Sequence, residues 1–169
     1  MKLLYAVVFT VIIMTGTPEA KAVDTPFRIY ICTATDESRT VGPTPKDGQS
    51  CEENTFSASD RWEKVGEDSK TTMHADQASV AGDFKVMRFW LRAMYKKGLR
   101  LPGNGRAYSS LARMEIDCGA RTVTIIEERF FDKNEGELVG AAHGPQPAQS
   151  IAPGTIIELF LPNLCVNDQ

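Results

Sequence analysis

The sequence predicts an α+β fold, in which a twisted antiparallel sheet of five or six strands carries a C-terminal helix packed on one face. Residues 84–95 alternate between apolar and polar positions, and residues 108–118 repeat this period of two, which is typical of half-buried strands. Residues 156–164 instead space their apolar side chains close to 3.6 apart, which indicates a helix. Four cysteines indicate that disulfides reinforce this domain.

Residues 1–22 have the features of an export signal. Lys2 supplies a basic start, residues 3–15 form a mostly apolar run, and Ala-Lys-Ala at 20–22 is the small-x-small motif that a signal peptidase recognises. The apolar run is well short of the roughly 20 residues that a membrane-spanning helix needs. We therefore expect a cleaved signal peptide at 1–22 and an exported product that is periplasmic, on the cell surface or secreted.

The composition beyond the signal is that of an ordinary soluble domain. The formal net charge is −3 for the whole chain and −4 once residues 1–22 are removed, with 17 basic groups against 21 acidic ones. This balance argues against nucleic acid as an electrostatic partner. No later stretch is long and apolar enough to predict a transmembrane span.

The four cysteines, which an oxidising compartment favours as disulfides, permit three pairings. Cys32 and Cys51 form an early cluster, and Cys118 and Cys165 form a late one. We expect Cys32–Cys51 and Cys118–Cys165, because the first closes a short loop and the second ties the C-terminal helix to a strand. Metal binding is disfavoured, since the sequence has no C-x-x-C motif and no paired histidine spacing.

Residues 23–60 differ from the remainder and predict a small N-terminal β-ribbon held by its own disulfide. Residues 27–31 suit a short strand, and a Gly-Pro dipeptide at 42–43 is a turn signal. Residues 52–60 are polar and suit a linker. The expected domains are therefore a 23–60 extension and a main domain at 61–169.

The main domain contains the predicted sheet in chain order. Its expected strands are 62–65, 71–75, 84–95, 108–118, 121–132 and 137–142. Asp76, followed by Ser79 three residues on, predicts a capped single turn of helix between two strands.

The strand predicted at 84–95 divides its side chains between two faces. One face carries Met87, Phe89, Leu91, Ala93 and Tyr95, and the other carries Val86, Arg88, Trp90, Arg92 and Met94. The sequence leaves open which face the helix covers. Trp90 is consequently either a core residue under the helix or an exposed aromatic.

The C-terminal helix is predicted from its apolar spacing. Pro153 suits its first turn, and Pro162 is expected to shorten it. The side chains expected to face the sheet are Ile156, Ile157, Leu159, Phe160 and Leu164.

Charge is strongly segregated along the middle of the chain. Every charged residue from 85 to 113 is basic, and these residues are Lys85, Arg88, Arg92, Lys96, Lys97, Arg100, Arg106 and Arg113. The following stretch, 115–137, is predominantly acidic. One interpretation is that neighbouring strands pair these charges, which contributes about 0.2–1 kcal/mol per pair.

The other interpretation is a cationic binding surface. It combines the Arg88 face of one strand with a basic loop at 96–106, and an exposed Trp90 between two arginines suits cation–π contacts. Such a surface attracts acidic protein segments or sulfated polysaccharide. The candidate binding residues are Arg88, Trp90, Arg92, Lys96, Lys97, Arg100 and Arg106.

Catalysis is not indicated. The two histidines, His74 and His143, lie outside any metal-ligand spacing, and no nucleophile elbow, P-loop or dinucleotide motif occurs. Glu127 and Glu128 point to opposite faces of a strand, so they cannot act together as acid and base. We expect a protein that is not an enzyme and has no cofactor.

An ordered series of short motifs spans residues 62–165. The motifs are Trp62-Glu-Lys-Val65, Asp76-x-x-Ser79-Val80, Phe89-Trp90-Leu91, Tyr108-Ser109-Ser110, Asp117-Cys118, Phe131-Asp132, Ile151-x-Pro153-Gly154-Thr155 and Leu164-Cys165. In order and spacing they resemble the surface-adhesin E family of exported bacterial proteins. The resemblance implies a mostly antiparallel sheet with a disulfide-held C-terminal helix. It also implies a surface protein that adheres to host matrix and serum proteins.

Three classes of function follow from the sequence. The favoured one is an exported binding protein that adheres to host matrix or serum proteins through the cationic and aromatic surface. The alternative is a periplasmic envelope protein with a structural or stress-related role and no host ligand. A small-ligand carrier is a third class, and it requires a cavity that the helix leaves unfilled.

Overall fold

A computed structural model describes residues 25–139 and 144–165 of the chain. The predicted signal peptide and His143 lie outside these described residues. The strands are β1 (Phe27–Thr33), β2 (Arg39–Gly42), β3 (Ser50–Phe56), β4 (Trp62–Glu67), β5 (Thr71–Asp76), β6 (Ala81–Gly82), β7 (Val86–Arg100), β8 (Arg106–Asp117), β9 (Thr122–Phe131) and β10 (Gln149–Ser150). One α-helix, α1 (Ile156–Leu164), follows them.

All these strands belong to one antiparallel sheet, which contradicts the expected count of five or six. Ten strands lie in it within the described ranges, in the order β10-β9-β8-β7-β6-β2-β1-β3, and β5 and β4 branch from β7. The class is as predicted, a mostly antiparallel sheet with one C-terminal helix. The count rises because the sheet takes in the N-terminal strands and two strands of only two residues.

The N-terminal segment continues the sheet and is not confirmed as a separate ribbon. Val41 of β2 pairs with Gly82 of β6, which in turn pairs with β7. Residues 52–56, expected in a linker, pair with β1 as part of β3. Their polar composition fits an edge strand, because one side of β3 has no strand neighbour in the described sheet. The boundary predicted between 60 and 61 stays a prediction.

The sheet forks along one edge of β7. The half of β7 from Leu91 to Tyr95 pairs with β5, whereas Met87 and Arg88 pair with β6. Between these two partners lies the 3₁₀ turn Gln77–Ser79, at the place where the sequence predicts a capped turn.

Two polar side chains hold the fork. The Ser79 hydroxyl accepts a hydrogen bond from the Trp90 backbone N–H at 2.8 Å and donates to the Asp76 carbonyl at 2.7 Å. The buried Asp76 carboxylate accepts the Ala78 N–H at 3.1 Å and two bonds from the Arg61 guanidinium, at 3.0 and 2.9 Å. Ser79 thus takes the position of a strand neighbour for β7, which satisfies a backbone donor that the fork exposes.

Helix α1 covers the face of the sheet that carries Met87, Phe89 and Leu91. The rings of Phe89 and Phe160 meet edge to face with centroids 5.6 Å apart. The buried side chains of this core are Ala75, Val80, Met87, Phe89, Leu91, Ala112, Met114, Ile116, Ile151, Phe160, Leu161 and Leu164. Leu159, expected in the core, is 69% exposed because it lies on the solvent side of the helix.

The helix begins after Thr155, whose hydroxyl accepts the Glu158 N–H at 3.3 Å as an N-cap. Pro153 precedes the helix instead of lying in its first turn, and Pro162 is accommodated inside α1. Residues 137–139, part of the last predicted strand, are not a strand in the structure: Glu137 forms an isolated bridge with Phe131, and the Leu138 N–H donates to the Phe130 carbonyl at 2.8 Å. Residues 140–142 lie outside the described ranges.

The disulfides join the ends of the sheet and the helix as the sequence predicts. Cys118–Cys165 connects the end of β8 to the residue after α1, with Cα atoms 5.6 Å apart. Cys32 and Cys51 face each other in register on β1 and β3, with Cα atoms 4.0 Å apart. Each bond therefore joins positions that the fold already brings together.

Replacing both Cys118 and Cys165 by serine should lower the free energy of unfolding by about 4 kcal/mol, because the closed loop spans 47 residues. The Cys32→Ser/Cys51→Ser variant, which opens a shorter loop of 19 residues, should lose about 3 kcal/mol. Urea unfolding of both variants measures this. A Cys118/Cys165 variant as stable as the parent would show that the helix is held by packing alone.

Gly66→Ala should destabilise the fold by about 1–3 kcal/mol through overpacking. A Cβ at Gly66 would lie 2.2 Å from Ile156 Cγ2, where α1 crosses β4. Gly119→Ala is the matched control, since its Cβ would meet nothing closer than 3.5 Å. Equal melting temperatures for the two variants would contradict this helix position.

Candidate binding surface

The sheet face opposite α1 is available for binding because no helix covers it within the described residues. We call it the open face. Alternation along β7 places Arg88, Trp90 and Arg92 there, while Phe89 and Leu91 point into the core. Trp90 is half-buried and lies outside the core under α1, which resolves the alternative that the sequence left open.

Arg88 and Arg92, the two arginines that β7 places on the open face, are both ion-paired. Arg88 faces Glu115 across the β7–β8 ladder, and its Nη2 lies 2.6 Å from the carboxylate. Arg92 Nη2 lies 3.3 Å from Glu135, in the turn after β9. The cross-strand interpretation therefore holds for Arg88. Because these pairs are exposed, each contributes at most about 1 kcal/mol to folding.

The basic segment at 96–106 is not the loop that the sequence suggests. β7 continues to Arg100, and Leu99 pairs with Ala107 and Arg100 with Arg106 after a bulge that begins at Met94. Residues 101–105 form the connection. We call residues 96–106 the hairpin tip, because β5 pairs with β7 no further than Tyr95 and β9 pairs with β8 no further than Ser109.

A small apolar cluster supports the hairpin tip. Leu101, Ala107 and Phe130 are buried together, with Tyr95 and Leu138 against them. The Tyr95 hydroxyl lies 2.9 Å from Ser110 Oγ, and burial raises the pKa of the phenol. An isolated two-stranded hairpin is marginal in water, so this cluster is what makes the tip a fixed platform.

The basic side chains of the tip differ in whether they already have a partner within the protein. Lys96 Nζ lies 2.5 Å from Glu67 Oε1 and donates to the Asp68 carbonyl at 2.8 Å. Arg106 donates to the Lys97 carbonyl at 2.9 Å. The side chains of Lys97 and Arg100 are exposed and contact no carboxylate in the described part of the chain. The free positive charge of the tip is therefore concentrated at its end.

A pocket that the sequence does not reveal opens on the same face beside the tip. Its volume is about 280 Å³, and it is lined by Trp62, Arg92, Ser109, Ser110, Leu111, Phe131 and Glu135. The lining comes from β4, β7, β8, β9 and the turn after β9. The only sequence features that hint at this pocket are the aromatic residues Trp62 and Phe131. They are far apart along the chain, so the sequence alone does not indicate that they line one pocket.

Neither metal ligands nor acid–base groups are brought together among the described residues. No three of their His, Cys, Asp and Glu side chains group as a metal site. Glu127 and Glu128 lie opposite Arg113 and Ala112 respectively, on different faces of β9, and Glu127 pairs with Arg129 at 3.5 Å. No helix in the described ranges has the length and apolar character needed to cross a membrane.

The model of the surface-adhesin protein E family matches residues 62–166. The chain belongs to this family. The matched residues include the fork, the hairpin tip, the pocket lining and both cysteines of the helix tether. The N-terminal strands β1 to β3 precede the match.

Among solved structures, the chain is similar to Haemophilus influenzae protein E, with 18% identity over 64% of this chain and 86% of that chain and a TM-score of 0.45. It is also similar to protein E from non-typeable Haemophilus influenzae, with 17% identity over 64% of this chain and 77% of that one and a TM-score of 0.42. The search of curated proteins gave no significant match.

Phe89→Ala should cost about 3–5 kcal/mol of stability, because it removes a buried ring that contacts Phe160. Trp90→Ala should cost less than half as much, since Trp90 is half-buried on the open face and its backbone bond to Ser79 persists. Chemical denaturation compares the two. A larger loss for Trp90→Ala would place Trp90, and not Phe89, in the core.

The Glu67 carboxyl should titrate at a pKa of about 2 instead of its usual 4.5, because it accepts bonds from Lys64 and Lys96. A folded-state pKa below the unfolded value means that these pairs favour folding above about 4.5 and lose that effect as the pH falls towards 2. NMR titration of the side-chain carboxyl measures it. Lys96→Met should raise this pKa, and an unchanged value would show that Lys96 does not bind Glu67 in solution.

Proposed function

We propose that this protein is an exported adhesin whose hairpin tip and open face bind acidic regions of host matrix or serum proteins, or sulfated polysaccharide. The observation that carries the proposal is the pair of exposed cations, Lys97 and Arg100, at the end of a rigidly mounted hairpin. Membership of the surface-adhesin family supports it. The signal-like residues 1–22 support export.

The charge distribution makes the tip the contact that an acidic partner meets first. The chain is net acidic, so most of its surface repels such a partner, and local positive charge steers the approach. Arg106, whose guanidinium binds the Lys97 backbone, holds the tip together and adds to its charge. Lys96, which is paired with Glu67, adds a further positive charge at the base of the tip.

Arg88, Trp90 and Arg92 on the open face contact the partner after the first encounter at the tip. Arg88 and Arg92 exchange their present carboxylate partners for those of the ligand at little net cost, because exposed ion pairs are weak. Trp90 supplies flat apolar area between them. Binding is the whole activity in this proposal, with neither a catalytic step nor a cofactor.

The Lys97→Ser/Arg100→Ser variant should associate about tenfold more slowly with heparin and with immobilised acidic matrix proteins. Its melting temperature should stay unchanged, since exposed charges contribute little to folding. Surface plasmon resonance at rising salt measures the rates. Wild-type binding should weaken as the Debye length falls below about 8 Å.

Lys46→Ser/Lys85→Ser is the matched control, because it removes the same charge from exposed positions far from the tip, Lys85 lying just before the opposite end of β7. It should associate at nearly the wild-type rate. Equal slowing by both variants would mean that net charge alone governs binding. Binding that is independent of salt would contradict the electrostatic proposal.

The rival function is that of a periplasmic envelope protein without a host ligand. The location of the protein in the cell distinguishes this role from adhesion. Labelling intact cells with a membrane-impermeant amine reagent should modify Lys97 if the protein is displayed at the surface. Protection of every lysine until the outer envelope is opened would favour the periplasmic role.

A further inference from the structure

The pocket beside the hairpin tip has the shape and chemistry of a site for one aromatic side chain. Trp62, Leu111 and Phe131 supply apolar walls, and the volume of about 280 Å³ is smaller than most drug-sized sites. Met94, which lies opposite Ser109 in the ladder and is 45% exposed, extends the apolar rim. A pocket of this size fits a single large side chain better than a whole cofactor.

One polar group in the pocket lacks a partner. Ser109 is 8% exposed and lines the pocket, and its hydroxyl makes no hydrogen bond to any other described residue. Its neighbour Ser110 differs, because Ser110 points to the other face and bonds Tyr95. No side-chain polar atom in the described residues is both sealed from solvent and unpaired, so the Ser109 hydroxyl is open to the pocket and free to bond a ligand with a polar tip.

The rim carries one charge of each sign. Arg92 and Glu135 form an exposed pair at 3.3 Å beside the apolar walls. A guanidinium in this position stacks on the face of an aromatic ring that enters the pocket. The carboxylate is 81% exposed and leaves Arg92 readily.

The cations of the tip determine what lies next to that ring. Leu99 of the tip lies opposite Ala107, which is two residues from Ser109 along β8, a distance of about 7 Å at the rise of a strand. A polypeptide that places a ring in the pocket and continues towards Leu99 reaches the segment that carries Lys97 and Arg100, where acidic residues are favoured.

From these observations we propose that the pocket receives a tyrosine side chain of an acidic partner polypeptide. The phenol ring packs between Trp62 and Phe131, and its hydroxyl bonds Ser109. Neighbouring Asp or Glu residues of the partner contact Lys97 and Arg100. The proposal rests on the proposed function, to which it adds an anchor that specifies the partner sequence. Anchors of this kind dominate protein interfaces.

Three short blocked peptides of Asp and Glu test it, with a central tyrosine, phenylalanine or alanine. Fluorescence anisotropy at low salt should give the tyrosine peptide the lowest Kd. Replacing tyrosine by alanine should weaken binding about thirtyfold, which is the loss of a hot-spot residue. Replacing it by phenylalanine should cost about threefold to tenfold, which is the loss of one hydrogen bond.

Variants of the protein assign the contacts. Ser109→Ala removes only a hydroxyl and should abolish the preference for tyrosine over phenylalanine. Ser150→Ala, which likewise removes only a hydroxyl but lies on β10 outside the pocket, is the matched control and should retain the preference. Lys97→Ser/Arg100→Ser should weaken all three peptides by a similar factor. Circular dichroism shows that each variant is folded.

The outcomes separate this proposal from the function on which it rests. Equal, salt-sensitive affinity for the tyrosine and alanine peptides would overturn the anchor pocket and leave electrostatic adhesion standing. A tyrosine preference that survives in Ser109→Ala would overturn the assignment of Ser109. Absence of binding by all three peptides would overturn the pocket proposal, and heparin binding would then decide the adhesin function independently.

Discussion

A single short helix has to bury the apolar side of a large sheet, and this constraint shapes the rest of the molecule. α1 has nine residues, and it can cover only the part of β7 and β8 that carries Phe89, Met114 and their neighbours. The Cys118–Cys165 bond fixes it there. Since alternate residues of a strand point to opposite faces, covering Phe89 leaves Trp90 on the open side. The candidate surface is thus a direct consequence of where the helix lies.

The fork in the sheet is the second determinant, because it brings distant residues together. β5 leaves β7 at Ala75, and the turn held by Asp76 and Ser79 fills the gap before β6 begins. Trp62 on β4 and Phe131 on β9 line the same pocket although β5, β7 and β8 lie between their strands in the ladder.

The sequence predicts elements whose signal is local and misses those that depend on partners. The alternation of apolar and polar residues along 84–95 correctly predicts which side chains lie on each face of β7, because this alternation depends only on the backbone geometry of a strand. The hairpin tip was expected to be a loop, because it lies between the strands predicted at 84–95 and 108–118. In the structure β7 continues to Arg100, and Leu101 is buried with Ala107 and Phe130. The N-terminal strands, the fork and the pocket depend on long-range pairing, which alternation does not encode.

The same geometry explains why a net-acidic chain presents a cationic end. In the body of the sheet each basic residue of β7 has an acidic strand or turn within reach, as Arg88 has Glu115. Past Tyr95 and Ser109 the flanking strands stop, and the hairpin continues alone. Lys96 still reaches Glu67 on β4, but Lys97 and Arg100 form no ion pair with a described carboxylate. The length of β7 relative to its neighbours, more than the number of basic residues, therefore creates the positive tip.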